Sequence, residues 1–353
     1  MRVEHIETPA LILEKSVFEA NMQAMKELLS GSSLQLRPHY KSHKCADIAH
    51  MQIESGAIGM TCAKLSEAED LIDSGIEDVL IANQVVEPAK IARLAHLANR
   101  CRLTVCVDNE ENIDALSAAA QAAGSAIHCL VEYEIGLRRC GVTTHEEVVS
   151  LAARIARCEN LVFDGVQAYA GHLSPETDEK TRRAETEKNA ADLRKLLALL
   201  ESRGLPAKTL SGGSTGTAAI KAEEGLYTEL QAGSYLMMDA TYRDLHLPFR
   251  NSLFILSTVL SSRPGLAVID AGVKSCGVDQ GMPAIVGVEC GEISACEEHF
   301  QLMNPSRQLK VGEKVRLIPG HCCSTMNLHE KIYVVDEGRV VGRLRITARG
   351  ASR

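Results

Sequence analysis

Residues 57–82, AIGMTCAKLSEAEDLIDSGIEDVLIA, contain one complete strand-helix-strand repeat. The short apolar runs 57–62 and 78–82 have the length and composition of buried β-strands. Between them, apolar residues in 64–75 recur at three- and four-residue spacing and stop at a glycine, which predicts an amphipathic helix. This order of elements is typical of parallel βα units.

The same alternation continues in both directions along the chain. Residues 146–158, EEVVSLAARIARC, predict another outer helix. The predicted strands are 34–39, 57–62, 78–82, 102–107, 126–132, 161–168, 208–210 and 226–231. Eight such strands separated by helical segments predict a TIM-like (β/α)8 barrel.

Beyond residue 245 the pattern changes to short β-rich pieces. These are 254–261, 265–272, 314–320 and 331–346, the last containing the turn Asp336-Glu337-Gly338. We therefore expect an α/β barrel over 1–245 and a C-terminal β domain over 246–353. Residues 1–12 are candidates to join the β domain.

Composition limits the classes of function. The chain lacks an apolar run of about 18 residues, and charged residues and Pro9 interrupt its first 15 residues, so neither a membrane span nor a signal peptide is expected. The 12 cysteines are scattered without a C-x-x-C pair, which predicts reduced packing residues and a cytoplasmic protein.

Charge and aromatic content bear on the partners. The net charge is -8 and only 3% of residues are aromatic, so the chain lacks the basic and stacking surface that nucleic-acid binding uses. A small-molecule partner is favoured.

Lys41 follows the first predicted strand, within RPHYKSHK (37–44). In a βα barrel the chemistry gathers where strands end and loops begin, so this amine is expected at the barrel mouth. Neighbouring cations favour a neutral, nucleophilic amine that could form a Schiff base. Taken alone, a lysine in a basic stretch is more often a solvated surface charge.

Two loops of small residues follow the last two predicted strands. They are SGGSTGT (211–217) and QAGSY (231–235). Small residues expose backbone N–H groups and supply hydroxyls, as a phosphate site requires, and βα barrels commonly hold phosphate at these two positions. Together with Lys41, the loops favour a pyridoxal 5'-phosphate (PLP) site over a surface lysine.

A third motif, PGHCCSTMN (319–327), lies in the predicted β domain. His321 and Cys323 are two residues apart after a strand, and in an extended segment their side chains would project to the same side and could share a cation. A buried histidine beside two packing cysteines is an equally weighted interpretation.

Six segments resemble the metal-activated D-threonine aldolase and D-serine dehydratase family. They are RPHYKSHK (37–44), EIGLRRCGV (134–142), VQAYAGH (166–172), GGSTGT (212–217), TELQAGSY (228–235) and PGHCCSTMNLHE (319–330). The resemblance covers nearly the whole chain and is closer to the D-threonine and 3-hydroxy-D-aspartate aldolase branch. It implies an alanine-racemase-like PLP barrel with a C-terminal β domain, and a homodimer.

The resemblance also implies roles for individual residues. Lys41 is the Schiff-base lysine, Arg139 lies near the PLP hydroxyl or the substrate carboxylate, and His172 is the candidate base. The phosphate is expected at Ser214, Thr215, Gly216, Thr217, Gly233 and Ser234, with Tyr169 and Tyr235 lining the cofactor. His321 and Cys323 match the two metal-ligand positions.

Two chemistries remain open. The family's dehydratases have cysteine at the second ligand position, as here, and its aldolases usually have aspartate, whereas the surrounding loops resemble the aldolases. We therefore expect retro-aldol cleavage of a β-hydroxy-D-amino acid, with dehydration to a keto acid and ammonia as the alternative. A thiolate ligand favours zinc over manganese or magnesium. A non-catalytic PLP-binding protein would leave the His321 and Cys323 pair unexplained.

Overall fold

The computed structural model describes residues 1–353. Its strands are β1 Ala10–Glu14, β2 Gln35–Leu36, β3 Met60–Cys62, β4 Asp78–Ile81, β5 Arg102–Val107, β6 Ile127–Glu132, β7 Leu161–Ala168, β8 Thr209–Gly212, β9 Glu229–Leu230, β10 Leu253–Arg263, β11 Leu266–Ile269, β12 Ala284–Ile285, β13 Glu292–Ala295, β14 Phe300–Met303, β15 Lys314–Ile318, β16 Lys331–Asp336 and β17 Arg339–Arg345. Its α-helices are α1 Lys15–Leu29, α2 Ala46–Glu54, α3 Leu65–Asp73, α4 Pro88–Leu97, α5 Glu110–Ala123, α6 His145–Ala156, α7 Glu179–Ser202, α8 Ala218–Glu224 and α9 Cys322–Met326.

The chain forms two compact units. The barrel unit comprises Lys26–Lys41, Ile48–Gly233 and Ala351–Arg353, and the sheet unit comprises Met1–Met25, Ser42–Asp47 and Ser234–Gly350. The predicted fold class, a TIM-like barrel with an additional β domain, is confirmed.

The barrel unit contains an eight-stranded parallel sheet in the order β2-β9-β8-β7-β6-β5-β4-β3. A parallel bridge between His39 and Thr61, with Thr61 N donating to Pro38 O over 2.8 Å, links its two edges. Because all eight strands run the same way, their carboxyl ends share one rim. Lys41 follows β2 at that rim, residues 213–217 follow β8, and Gly233 follows β9.

Helix α6 shows how the sequence forms the outer layer. Thr144 caps its start by accepting from Glu147 N, and the Glu147 carboxylate accepts from Thr144 N in return, which completes a capping box. The residues buried along the helix are Val148, Leu151, Ala152 and Ile155, at the three- and four-residue spacing that the sequence predicts.

Arg37, one of the cations that precede Lys41 in the sequence, is neutralised by two carboxylates of the barrel. Its buried guanidinium pairs with Asp78 over 2.7 Å and with Glu229 over 2.8 Å. A buried cation is stable only with counter-charges, and here both carboxylates come from the first residues of β4 and β9. Arg37 therefore stabilises the barrel through ion pairs with two other strands.

The sheet unit is a mostly antiparallel nine-stranded sheet. Its main path is β13-β14-β11-β10-β1-β16-β17, while β15 pairs with β10 and with β12. Strand β1 lies between β10 and β16, antiparallel to the first and parallel to the second. An apolar core cluster joins β1, β10 and β16 to the preceding N-terminal residues; its members are Val3, Ile6, Ala10, Ile12, Leu256, Tyr333 and Val335.

Two expectations from composition can be compared with the structure. None of the twelve cysteines is in a disulfide, as the scattered pattern predicted. No α-helix has the length and apolar character needed to cross a membrane.

Candidate active site

Lys41 lies in a single helical turn, Tyr40–Ser42, directly beyond the rim end of β2. It lines a cavity of the barrel unit together with Arg139 and Tyr169, two other residues that the sequence singled out. The remaining lining residues are His39, Ala63, Ala82, Asn83, Gln167 and Gln231. The fold therefore brings three predicted site residues from different loops into one cavity.

Two glutamines that line this cavity are hydrogen bonded to each other. Gln231 Nε2 donates to Gln167 Oε1 and to Ser211 Oγ, both over 2.9 Å. Tyr40, next to Lys41, is fully buried, and its hydroxyl donates to the Asp70 carboxylate. The backbone that carries Lys41 is thereby attached to helix α3.

Arg139 extends from the loop between β6 and α6. Its guanidinium carbon lies 5.9 Å from the centre of the Tyr169 ring, within the range of a cation–π contact. Its Nη2 lies 3.8 Å from Glu132 Oε1. A cation and an aromatic ring therefore stand together in the wall of the Lys41 cavity.

The predicted phosphate loop follows β8 and is buried from Gly213 to Thr217. Ser214 N donates to Thr217 Oγ1 over 3.0 Å, and the two side-chain hydroxyls lie 3.1 Å apart. A Cβ at Gly216 would stand 2.1 Å from Ser174 O, so the turn has room only for glycine there. The turn Thr215–Thr217 leads directly into α8.

The second small-residue loop is divided between the two units. Gly233 ends the main segment of the barrel unit, and Ser234 begins the C-terminal segment of the sheet unit. Tyr235 is buried and packs edge-on against Phe249, with ring centres 5.7 Å apart.

His172 lies in the short turn Gly171–Leu173 after β7 and is exposed. A Cβ at Gly136 would stand 2.8 Å from His172 Cε1, so the imidazole packs against that glycine. His172 is not among the residues that line the cavity with Lys41. Its role as a base stays a prediction.

The sequence placed His321 and Cys323 in an extended segment, which is wrong. Strand β15 ends at Ile318, and Cys323 lies inside the short helix α9, with His321 as its N-cap residue. The helix begins here because a distant carboxylate, Asp239 Oδ2, accepts from Cys322 N over 2.8 Å. Cys322 is completely buried, whereas Cys323 is partly exposed.

His321 and Cys323 nonetheless interact. Burial lowers the pKa of His321, but the Cys323 side chain and the Asp279 carboxylate raise it more, to about 9. Asp279 Oδ2 lies 2.7 Å from His321 Nδ1, and Ser324 Oγ donates to Asp279 Oδ1. No group of three or more His, Cys, Asp and Glu side chains is arranged to hold a metal ion.

Sequence reasoning assigned no role to several residues of these sites. His39, Asn83, Gln167 and Gln231 line the Lys41 cavity, and each lies at or just beyond the rim end of a barrel strand. That position was the available signal, because the rim is where βα barrels collect functional side chains. Asp279 gave no such signal, since it lies in a loop 42 residues before His321.

The chain is similar to several known proteins in both sequence and structure. Residues 14–241 match the family model described as alanine racemase, N-terminal domain, and residues 252–335 match a serine dehydratase domain. The chain is 40% identical to a 3-hydroxy-D-aspartate aldolase of Paracoccus denitrificans, over 99% of this chain and 94% of that protein. The crystal structure of D-threonine aldolase from Filomicrobium marinum superposes with a TM-score of 0.95, at 38% identity, covering 99% of this chain and 98% of that one.

The dehydratases are less similar. The D-threo-3-hydroxyaspartate dehydratase of a Delftia species is 26% identical over 91% of this chain and 92% of that protein. The aldolase branch that the motifs predicted is thus confirmed as the more similar one. The chain belongs to the family of PLP-dependent D-threonine and 3-hydroxy-D-aspartate aldolases, which combines an alanine racemase N-terminal domain with a serine dehydratase domain.

Proposed function

We propose that this protein is a PLP- and divalent-metal-dependent lyase that cleaves β-hydroxy-D-amino acids to glycine and an aldehyde. The observation that carries the proposal is the shared cavity of Lys41, Arg139 and Tyr169 at the rim of a barrel whose relatives are aldolases. A homodimer is part of the proposal on the strength of the family resemblance alone.

The residues at the rim fit PLP. Lys41 supplies the primary amine that a pyridoxal aldehyde requires, and the Tyr169 ring and the Arg139 cation can face a planar, hydroxylated ring. For the phosphate we propose Ser214, Thr215, Gly216 and Thr217, with Gly233 and Ser234 from the next loop and Tyr235 as a lining residue. Bound PLP would supply an electron sink for the negative charge that develops at the substrate Cα.

His321 and Cys323 fit a divalent cation as a two-residue pair. Asp279 contacts Nδ1 of His321, so the other ring nitrogen, Nε2, is left as the ligand atom. Such carboxylate–histidine pairs commonly orient metal-binding imidazoles. The thiolate makes zinc the favoured ion over manganese or magnesium. By the family resemblance, a cation held here would polarise the substrate's β-hydroxyl.

The chain's own side chains would then bind the substrate and move protons. Arg139 can pair with the substrate carboxylate or with the PLP hydroxyl. In cleavage, a base must accept the proton of the β-hydroxyl, and His172 is the candidate. The aldehyde and glycine together contain all atoms of the substrate, so no water is consumed.

Dehydration is the second candidate, and Cys323 favours it because the family's dehydratases have cysteine at this position. In that reaction Lys41 Nζ would accept the Cα proton while hydroxide leaves from Cβ. The higher identity to aldolases places cleavage first.

Product analysis with D-threonine separates the two reactions. Protein reconstituted with PLP and either zinc or manganese would be incubated with D-threonine, and the products identified by chromatography. We expect glycine and acetaldehyde in equal amounts. Formation of 2-oxobutyrate and ammonia instead would replace the aldolase with the dehydratase. D-Serine and 3-hydroxy-D-aspartate would then define the substrate range.

A further inference from the structure

Glu132 is a buried carboxylate to which the reaction above assigns no role. It is the last residue of β6, and its side chain is only 6% exposed. Gln84 Nε2 donates to its Oε2 over 2.6 Å, and its Oε1 faces Arg139 Nη2 at 3.8 Å. Burial raises the pKa of Glu132, while the hydrogen bond from Gln84 and the charge of Arg139 lower it. Such a group is retained in a barrel only when a partner compensates for it.

The backbone of Glu132 also closes the loop that carries Arg139. Val142 N donates to Glu132 O over 3.0 Å, and Glu134 N donates to Val142 O over 2.9 Å. A Cβ at Gly141 would stand 2.9 Å from Glu132 O, so glycine permits this close approach. The two ends of the loop are therefore held together by main-chain hydrogen bonds that do not involve the Glu132 carboxylate.

The middle of the loop is fixed by other carboxylates. Gly136 N and Arg138 N both donate to Glu134 Oε1, over 2.6 and 2.8 Å, and Gly141 N donates to Asp108 Oδ2 over 3.1 Å. The main chain around Arg139 is thus defined without the Glu132 side chain. These hydrogen bonds do not fix the direction of the long Arg139 side chain, which is half exposed.

We propose that Glu132 is a positioning residue whose carboxylate holds the Arg139 guanidinium beside Tyr169 in the wall of the Lys41 cavity. The inference rests on the proposed function, in which Arg139 pairs with the PLP hydroxyl or the substrate carboxylate. Without Glu132, the Arg139 side chain would be free to turn toward solvent. Binding of the ligand would then have to order this side chain, and the entropy cost would weaken affinity. Glu132 therefore acts through Arg139 and does not contact the reacting atoms.

A double-mutant cycle tests this coupling. Glu132→Gln keeps the shape of the side chain and removes its charge, and Arg139→Gln removes the proposed target. The PLP dissociation constant, the substrate KM and kcat would be measured for wild type, both single variants and the double variant. We expect Glu132→Gln to weaken the same binding constant that Arg139→Gln weakens, by about fivefold to tenfold, and the double variant to be no worse than Arg139→Gln alone.

Asp164→Asn is the matched control. Asp164 is also a buried barrel carboxylate, 9% exposed at its side chain, and it pairs with Arg102 over 2.5 Å. This variant should lower the melting temperature but leave the PLP and substrate constants within about twofold of wild type. If Glu132→Gln does not fold, Glu132→Asp replaces it in the double-mutant cycle. Aspartate keeps the negative charge but is one methylene shorter, so its carboxylate lies farther from Arg139.

The outcomes separate this inference from the proposed function. A wild-type protein that does not bind PLP would overturn the proposed function itself. A wild-type protein that binds PLP and turns over substrate, with additive effects of Glu132→Gln and Arg139→Gln, would overturn only the positioning role. The same holds if Glu132→Gln lowers the melting temperature and changes neither binding constant.

Discussion

The contact between Asp279 and His321 allows a quantitative test of the proposed metal pair. Asp279→Asn keeps the size of the side chain but removes the negative charge that faces Nδ1 at 2.7 Å. A hydrogen bond between charged groups is about twice as strong as a neutral one, and removing such a partner typically lowers metal affinity by about 10- to 100-fold. The Asp279 side chain is 52% exposed, so solvent screens its charge.

The exposure of Asp279 places the expected loss at the lower end of this range. We expect zinc affinity to fall about tenfold, which corresponds to about 1.4 kcal/mol. The assay is titration of metal-free protein with zinc in competition with a chromophoric chelator. Cys323→Ala should lose most zinc binding, and Cys322→Ala, at a buried position, should keep it. Unchanged zinc affinity in Asp279→Asn would refute the orienting role, and full zinc binding by Cys323→Ala would refute the pair itself.

Three further predictions concern the barrel and the substrate. Gly216→Ala should lower the free energy of unfolding by about 1–3 kcal/mol and weaken PLP binding, since its Cβ would stand 2.1 Å from Ser174 O. Denaturant titrations would measure the change, with Gly291→Ala as the control because its Cβ would meet no atom nearer than 3.7 Å. Arg37→Met should destabilise the barrel by about 3–5 kcal/mol, because Glu229 would stay buried without its cation; a melting temperature equal to wild type would contradict this. D-Threonine should be consumed and L-threonine should not, as the family resemblance implies, and comparable rates on both isomers would end that expectation.

The parts of the fold that repeat locally could be predicted from the sequence. Strands β5 and β7 begin and end at the predicted residues, and most of the residues in each strand are buried. The placement of Lys41 beyond the first barrel strand followed from the same pattern, and the cavity it lines with Arg139 follows from the parallel arrangement of the strands.

Contacts between distant parts of the chain could not be predicted. No local pattern indicates that Asp239 caps α9, so His321 and Cys323 were expected in an extended segment. The pairing of Asp279 with His321 is likewise set by how a loop packs, which the neighbouring residues do not encode. The sequence shows that Arg37 precedes Lys41, but it does not show that Arg37 pairs with Asp78 and Glu229. Those two carboxylates reach Arg37 only in the folded barrel.

The most direct test of the central claim is the chemical identity of the PLP-bearing residue. Protein reconstituted with PLP would be reduced with borohydride, digested and mapped by mass spectrometry, with Lys41→Ala treated in parallel. We expect one pyridoxyl group, on Lys41, and no covalent cofactor in the variant. A label on another lysine, or a Lys41→Ala protein that still attaches PLP covalently, would contradict the account.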